Sequence, residues 1–75
     1  MEILFFGQLA DLAGKPNWKT DSVEDTDALK ALLEANFEGL NRVKYMMAVN
    51  RQMVQTNTPL SGSETIALMP PFSGG

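Results

Sequence analysis

From Thr65 to Gly75 no side chain carries a charge, and the last six residues read Pro70-Pro71-Phe72-Ser73-Gly74-Gly75. Neither proline can donate to a β-ladder, so the pair both ends any strand before it and stiffens the exit. Phe72 is an apolar anchor, while Ser73, Gly74 and Gly75 add almost no bulk. Extended, the six residues reach about 20 Å at roughly 3.3 Å each. The two glycines lack the Cβ atoms that would collide with the walls of a narrow tunnel. The one charge left in such an arm is the α-carboxylate of Gly75, which is therefore the expected reactive group. A carboxylate is a poor acyl donor, because oxide or hydroxide would have to leave. Adenylation by ATP makes the carbonyl electrophilic, and a sulfur nucleophile can then form a thiocarboxylate, a transferable sulfide on a protein arm. The ATP would be used by an activating enzyme, with no cofactor and no metal bound by this chain.

The remaining side chains offer little competing chemistry. The 75 residues include no cysteine and no histidine, which excludes disulfides, thiolate nucleophiles, the usual zinc or haem ligands and any Ser-His or Cys-His pair. Four of the nine carboxylates, Asp21, Glu24, Asp25 and Asp27, cluster at the start of a helix, where exposure leaves nothing to raise a pKa. Asp25 and Asp27 have no further oxygen donors at metal-binding spacing. Gly62-Ser63 precedes Glu64, which would repel a phosphate. Catalysis by this chain alone is not expected. The net charge of −3 argues against nucleic acid as a partner. No apolar run is long enough to span a membrane, and no basic segment followed by a long apolar stretch opens the chain, so a cytoplasmic location is expected.

Several short elements must position the arm. Glu2 to Phe6, ending at Gly7, reads as a buried strand, with Ile3 and Phe5 on one face and Leu4 and Phe6 on the other. Leu9, Leu12 and Ala13 have helical spacing, and Gly14 supplies a stop. Asn17 to Val23 reads as an edge strand. The spacing then predicts a longer helix with Thr26 as N-cap, an apolar stripe of Leu29, Leu32, Leu33 and Phe37, and Gly39 as its end. Asp21, Glu24, Asp25 and Asp27 surround the helix start, where the backbone dipole favours negative charge; a docking patch for a basic partner is the alternative. Tyr45 to Val49, a tight turn at Asn50-Arg51, and Gln52 to Gln55 read as a hairpin. Thr65 to Met69 is the last strand.

The order β, short α, β, long α, β, β, β places the chain in the α+β class. It is the order of a ubiquitin-like β-grasp: a mixed five-stranded sheet with one main helix and one short helix. Residues 1–69 would form the domain and residues 70–75 a flexible Gly-Gly tail.

At this point the sequence resembles a known family, the small subunit of molybdopterin synthase, across nearly its whole length. The matching residues are Ile3-Leu4-Phe5-Phe6-Gly7-Gln8 with Leu9 and Leu12, Ala48-Val49-Asn50 with Val54, the Leu60/Gly62/Glu64 turn, and Pro70-Pro71 through Gly74-Gly75. Phe72 stands where the family usually has Val, and Ser63 stands where it has Asp. The resemblance implies a sulfur carrier of molybdenum-cofactor biosynthesis whose Gly75 is adenylated by a ubiquitin-activating-like enzyme. Sulfur from a donor then gives the thiocarboxylate. The tail from Pro70 to Gly74 threads into the large catalytic subunit, where sulfur passes to a pterin precursor to build the dithiolene. The assembly implied is a heterotetramer, with one small subunit at each end of a dimer of large subunits. A thiamine-pathway sulfur carrier and a ubiquitin-like modifier joining Gly75 to lysines are the alternatives.

If Ile3, Phe5, Val54, Ile66 and Leu68 face the helix, alternation turns Phe6, Met53 and Met69 to the open face of the sheet. Those three, next to Phe72, form the expected partner interface, and the family's apolar docking surface supports it. Met46 and Met47 are expected in the core.

Overall fold

A computed structural model describes residues 1–71. In chain order they form β1 (Glu2–Phe5), α1 (Gln8–Ala13), β2 (Asn17–Lys19), α2 (Thr26–Asn36), a 3₁₀ turn (Leu40–Arg42), β3 (Met46–Val49), β4 (Gln52–Val54) and β5 (Thr65–Met69). One mixed sheet runs in the order β2-β1-β5-β3-β4. Only β1 and β5 are parallel; the other three pairings are antiparallel. This is the ubiquitin-like β-grasp anticipated above, with one main helix and one short one.

The core lies between the sheet and α2. Period-two alternation sends Ile3, Phe5, Met47, Ile66 and Leu68 to the helix side, where all are buried. Leu29 and Leu33 of α2, Leu9 of α1 and Leu40 complete the cluster. Phe37 meets Phe5 and Trp18 edge-on, with ring centroids 5.2 and 5.0 Å away. Each such aromatic pair contributes about 0.5–1.5 kcal/mol beyond simple area burial.

Five local expectations are corrected. The second strand stops at Lys19 rather than Val23, because its only partner, β1, begins opposite it at Glu2; Val23 instead packs against the core from the connection. The N-cap of α2 is Asp25, whose extended backbone lets Oδ1 accept from the Ala28 N–H at 2.9 Å. Thr26 is the first helical residue and is buried, its hydroxyl accepting from the Thr58 N–H at 2.9 Å and donating to Asn57 Oδ1 at 3.3 Å. The helix ends at Asn36, since Phe37 turns to an extended conformation, and Gly39 opens the 3₁₀ turn instead. The apolar stripe of α2 is narrower than expected: Leu32 is half-buried and outside the core cluster. The short strand β4 also closes at Val54, one residue early.

The hairpin turn sits where it was placed. Asn50 and Arg51 both have positive φ, 47° and 73°, the signature of a type I′ turn. Among the described residues no helix is long and apolar enough to cross a membrane.

Candidate functional site

Both helices cover one side of the sheet, and among the described residues no helix covers the other. Register aligns Leu4, Ala67, Ala48 and Met53 in one row across β1, β5, β3 and β4. Two alanines at the centre leave a floor without bulk. Around it stand the larger Leu4, Phe6, Met53 and Met69, enclosing an open groove of about 570 Å³. Among the described residues, Phe6 and Met53 are the large apolar side chains most open to solvent, at 48% and 44% exposure. Thr65, Asn50 and Arg51 close the end farthest from Phe6. The structure therefore brings Phe6, Met53 and Met69 to one surface.

The two adjacent methionines of β3 divide. Met47 is buried opposite Leu68, as expected of a core residue. Met46 is half-buried and outside the core cluster: it pairs with Met69 at the end of β3 and lines the edge of a cleft beside the start of α2.

The root of the arm is fixed at the Phe6 end. The Phe6 N–H donates to the Leu68 carbonyl at 2.9 Å, extending the β1–β5 contact one step beyond the strand. At the next residue, a Cβ built on Gly7 would lie 3.0 Å from Cγ of Pro70, and Gly7 has a φ of +59°. Glycine there meets both a backbone requirement and a steric one, and it seats Pro70 against the start of α1. In the sequence Gly7 reads as the end of a strand and as part of the family-matching opening segment, not as a seat for Pro70; its signal is a glycine immediately between a strand and a helix. Pro71 follows, exposed. Phe72, Ser73, Gly74 and Gly75, the rest of the expected threading segment and its reactive end, lie outside the described residues.

At the opposite end, β5 begins from a turn held by Glu64. Its carboxylate accepts from the Ser61 N–H at 2.6 Å, the Gly62 N–H at 2.8 Å and the Ser61 hydroxyl at 3.0 Å. The Ser61 and then the Gly62 amide hold its pKa down at about 2. The amides that a phosphate loop would offer are thus occupied by the protein's own carboxylate. The sequence marks Glu64 as a repellent to phosphate and as part of the Leu60/Gly62/Glu64 turn, but not as the acceptor that holds that turn.

A second cleft, of about 340 Å³, lies between the start of α2 and the connection after β4, with Lys30 and Tyr45 on its wall. Tyr45 donates to Glu34 Oε2 at 3.0 Å, and burial, with that carboxylate, pushes its pKa up. The helix amides beside this cleft are already taken, by Asp25 at Ala28 and by Asn57 Oδ1 at Asp27. Asp25, one member of the acidic cluster, is thereby committed to capping.

A β-grasp domain with an apolar open sheet face and a proline-stiffened exit beside it defines the class of ubiquitin-like carriers. The chain belongs to the ThiS family, whose model matches residues 3–75. Among solved structures it is similar to SAMP1 from Haloferax volcanii, with 28% identity and a TM-score of 0.77; the match covers 99% of this chain and 97% of that one.

Proposed function

We propose that this ThiS-family chain is the sulfur-carrying small subunit of a molybdopterin synthase. The observation that carries this reading is the position of Pro70, seated on Gly7 where β5 leaves the sheet beside the apolar groove. A partner that covers Phe6, Met53 and Met69 would receive, from the same edge, the arm ending in Gly74-Gly75.

The terminus is first charged with sulfur in two steps. The Gly75 carboxylate attacks the α-phosphorus of ATP on an adenylating enzyme, giving an acyl-adenylate and pyrophosphate. A hydrosulfide equivalent from a sulfur donor then adds to the acyl carbon and expels AMP, leaving a thiocarboxylate. Inside the large synthase subunit that sulfur bonds to a carbon of the pterin precursor and displaces an oxygen substituent, giving a thioester between carrier and pterin. Water then cleaves the acyl C–S bond, so the sulfur stays on the pterin and the carrier returns as a carboxylate. Within the chain, Pro70 and Pro71 direct the arm and Phe72, Ser73 and Gly74 thread it.

Pro70-Pro71 favours this pathway over the thiamine pathway, whose carriers end in Gly-Gly but generally lack two prolines at this spacing. The likeness to SAMP1 favours a second reading of the same terminus, a modifier that joins Gly75 to lysines. Affinity capture from cells with active pathways separates the three. The proposal expects a large pterin-modifying subunit to co-purify. Recovery of a thiazole-forming enzyme instead, or of isopeptide adducts that vanish on deletion of Gly75, contradicts it.

A further inference from the structure

The residue at the far end of the groove sits in a conformation that its type disfavours. A type I′ turn needs positive φ at both central positions, and Asn-Gly is the pair that meets this at least cost. Here the second position is Arg51, at φ 73°. A non-glycine side chain held in the left-handed region is a source of strain, and such strain concentrates where a residue's chemistry is needed. The first position is independently secured, because Asn50 exchanges hydrogen bonds with Thr65: its N–H donates to the Thr65 carbonyl and its Oδ1 accepts from the Thr65 N–H, both at 2.9 Å. A glycine at 51 would therefore keep the hairpin and relieve the strain, while removing the guanidinium from the groove.

Among the described residues, Arg51 is the only ionisable one lining the groove, in a chain whose net charge is −3. Its neighbours along the trough are Ala48, Ala67 and Met53. In the groove itself a partner meets one cation at the end of an apolar floor, opposite the end from which the arm departs, while Glu2, in register with Thr65 and Lys19, lies on the same face towards the sheet's edge.

We propose that Arg51 is the polar docking anchor of the groove. The occupant is a surface segment of the adenylating partner, with apolar side chains that sink over Ala48 and Ala67 and an aspartate or glutamate that pairs with Arg51. The inference rests on the carrier reading above and adds the chemistry of the partner's surface. The apolar floor supplies contact area, and the ion pair sets the register of the partner along the groove. With Arg51 at one end and Pro70 at the other, that register determines how far the arm reaches into the partner.

The test measures pyrophosphate release by the organism's own adenylating enzyme at varied carrier concentration, alongside thermal unfolding of each carrier variant. Arg51→Glu keeps the backbone cost and reverses the charge, so it raises KM at least about tenfold, far more than it lowers kcat. Arg51→Lys retains part of the wild-type KM, and salt weakens the wild type more than the Gly variant. Arg51→Gly raises KM while raising Tm by about 4 °C, a combination that a purely structural role does not produce. Unchanged KM for Arg51→Glu at low salt overturns the inference and leaves the carrier reading standing. Dimers of the wild-type chain that Arg51→Glu dissociates, with KM unchanged, would assign the groove to a second copy and likewise overturn it. If the wild-type chain supports no pyrophosphate release, the carrier reading falls, and this inference with it.

Discussion

Gly7 and Pro70 approach so closely that a single added carbon on Gly7 would meet the Pro70 ring at 3.0 Å. This contact joins the end of β1 to the end of β5 and sets the direction in which the chain leaves the sheet. A Gly7→Ala variant should lose about 1–3 kcal/mol, the cost of a non-glycine residue in a glycine-only backbone region, with the ring contact adding to it. Urea unfolding would measure that loss. Sulfur transfer by the folded fraction should also fall, because the arm starts from a displaced Pro70; transfer at the wild-type rate per folded molecule would show that the seat does not direct the arm.

The start of β5 should respond to acid. Glu64 has a folded pKa of about 2 against an ordinary value of 4.5, so the folded state holds the ionised form and releases protons relative to the unfolded chain. Its stabilisation is complete above about pH 4.5 and is lost as the pH falls towards 2. Melting temperature followed across that window should drop in the wild type. Glu64→Gln should start lower at neutral pH and show a shallower drop, since the carboxylate that binds Ser61 and Gly62 is gone. Parallel acid profiles for the two proteins would remove Glu64 from the explanation.

The start of α2 carries two caps, one local and one distant. Asp25 serves the Ala28 N–H, and Asn57, from the connection after β4, serves the Asp27 N–H at 2.9 Å. Asp25→Ala and Asn57→Ala should each cost about 1 kcal/mol, a typical value for a lost helix cap. Asn57 Nδ2 also donates to Asp25 Oδ2 at 3.3 Å, so the double variant should depart from the sum of the singles. Strict additivity in denaturant midpoints would mean the two caps act separately.

These residues also mark what could be read before the structure was seen. The class, the order of elements, the Asn50-Arg51 turn and β5 followed from period-two alternation, from glycine and proline punctuation, and from the apolar runs. The placement of Phe6, Met53 and Met69 on one face followed from alternation alone, because the parity of β1, β4 and β5 is fixed once Ile3 and Phe5, Val54, and Ile66 and Leu68 face the helix. What was missed depends on partners distant in the chain. Asn57 caps a helix that begins thirty-one residues before it, so Thr26 looked like the cap when it was a buried first-turn residue. Where β2 ends is decided by where β1 begins, and the division of Met46 from Met47 by their pairing with Met69 and Leu68. Phe37 was placed on the helix stripe, yet its ring between Phe5 and Trp18 belongs to a backbone that has already left the helix. The groove's depth comes from two alanines on different strands, and only the sheet order brings them side by side.

The arm itself is expected to tolerate almost no change at its last residue. Gly75→Ala, or one residue added after Gly75, should leave the melting temperature unchanged while abolishing sulfur transfer. The added Cβ obstructs a narrow tunnel, and the added residue moves the acyl carbon about 3.3 Å past the reacting position. Thermal unfolding with a single-turnover transfer assay would check both halves. Transfer by either variant at the wild-type rate contradicts the threading account.

The most direct test is the intact mass of the protein purified from cells with an active pathway, or treated with the adenylating enzyme, ATP and a sulfur donor. The account predicts a species in which one oxygen is replaced by sulfur, located at Gly75 by fragmentation and absent when Gly75 is deleted. If only the carboxylate form is found while the enzyme, ATP and donor are shown to be active on a known carrier, the chain does not carry sulfur at its terminus and the account is wrong.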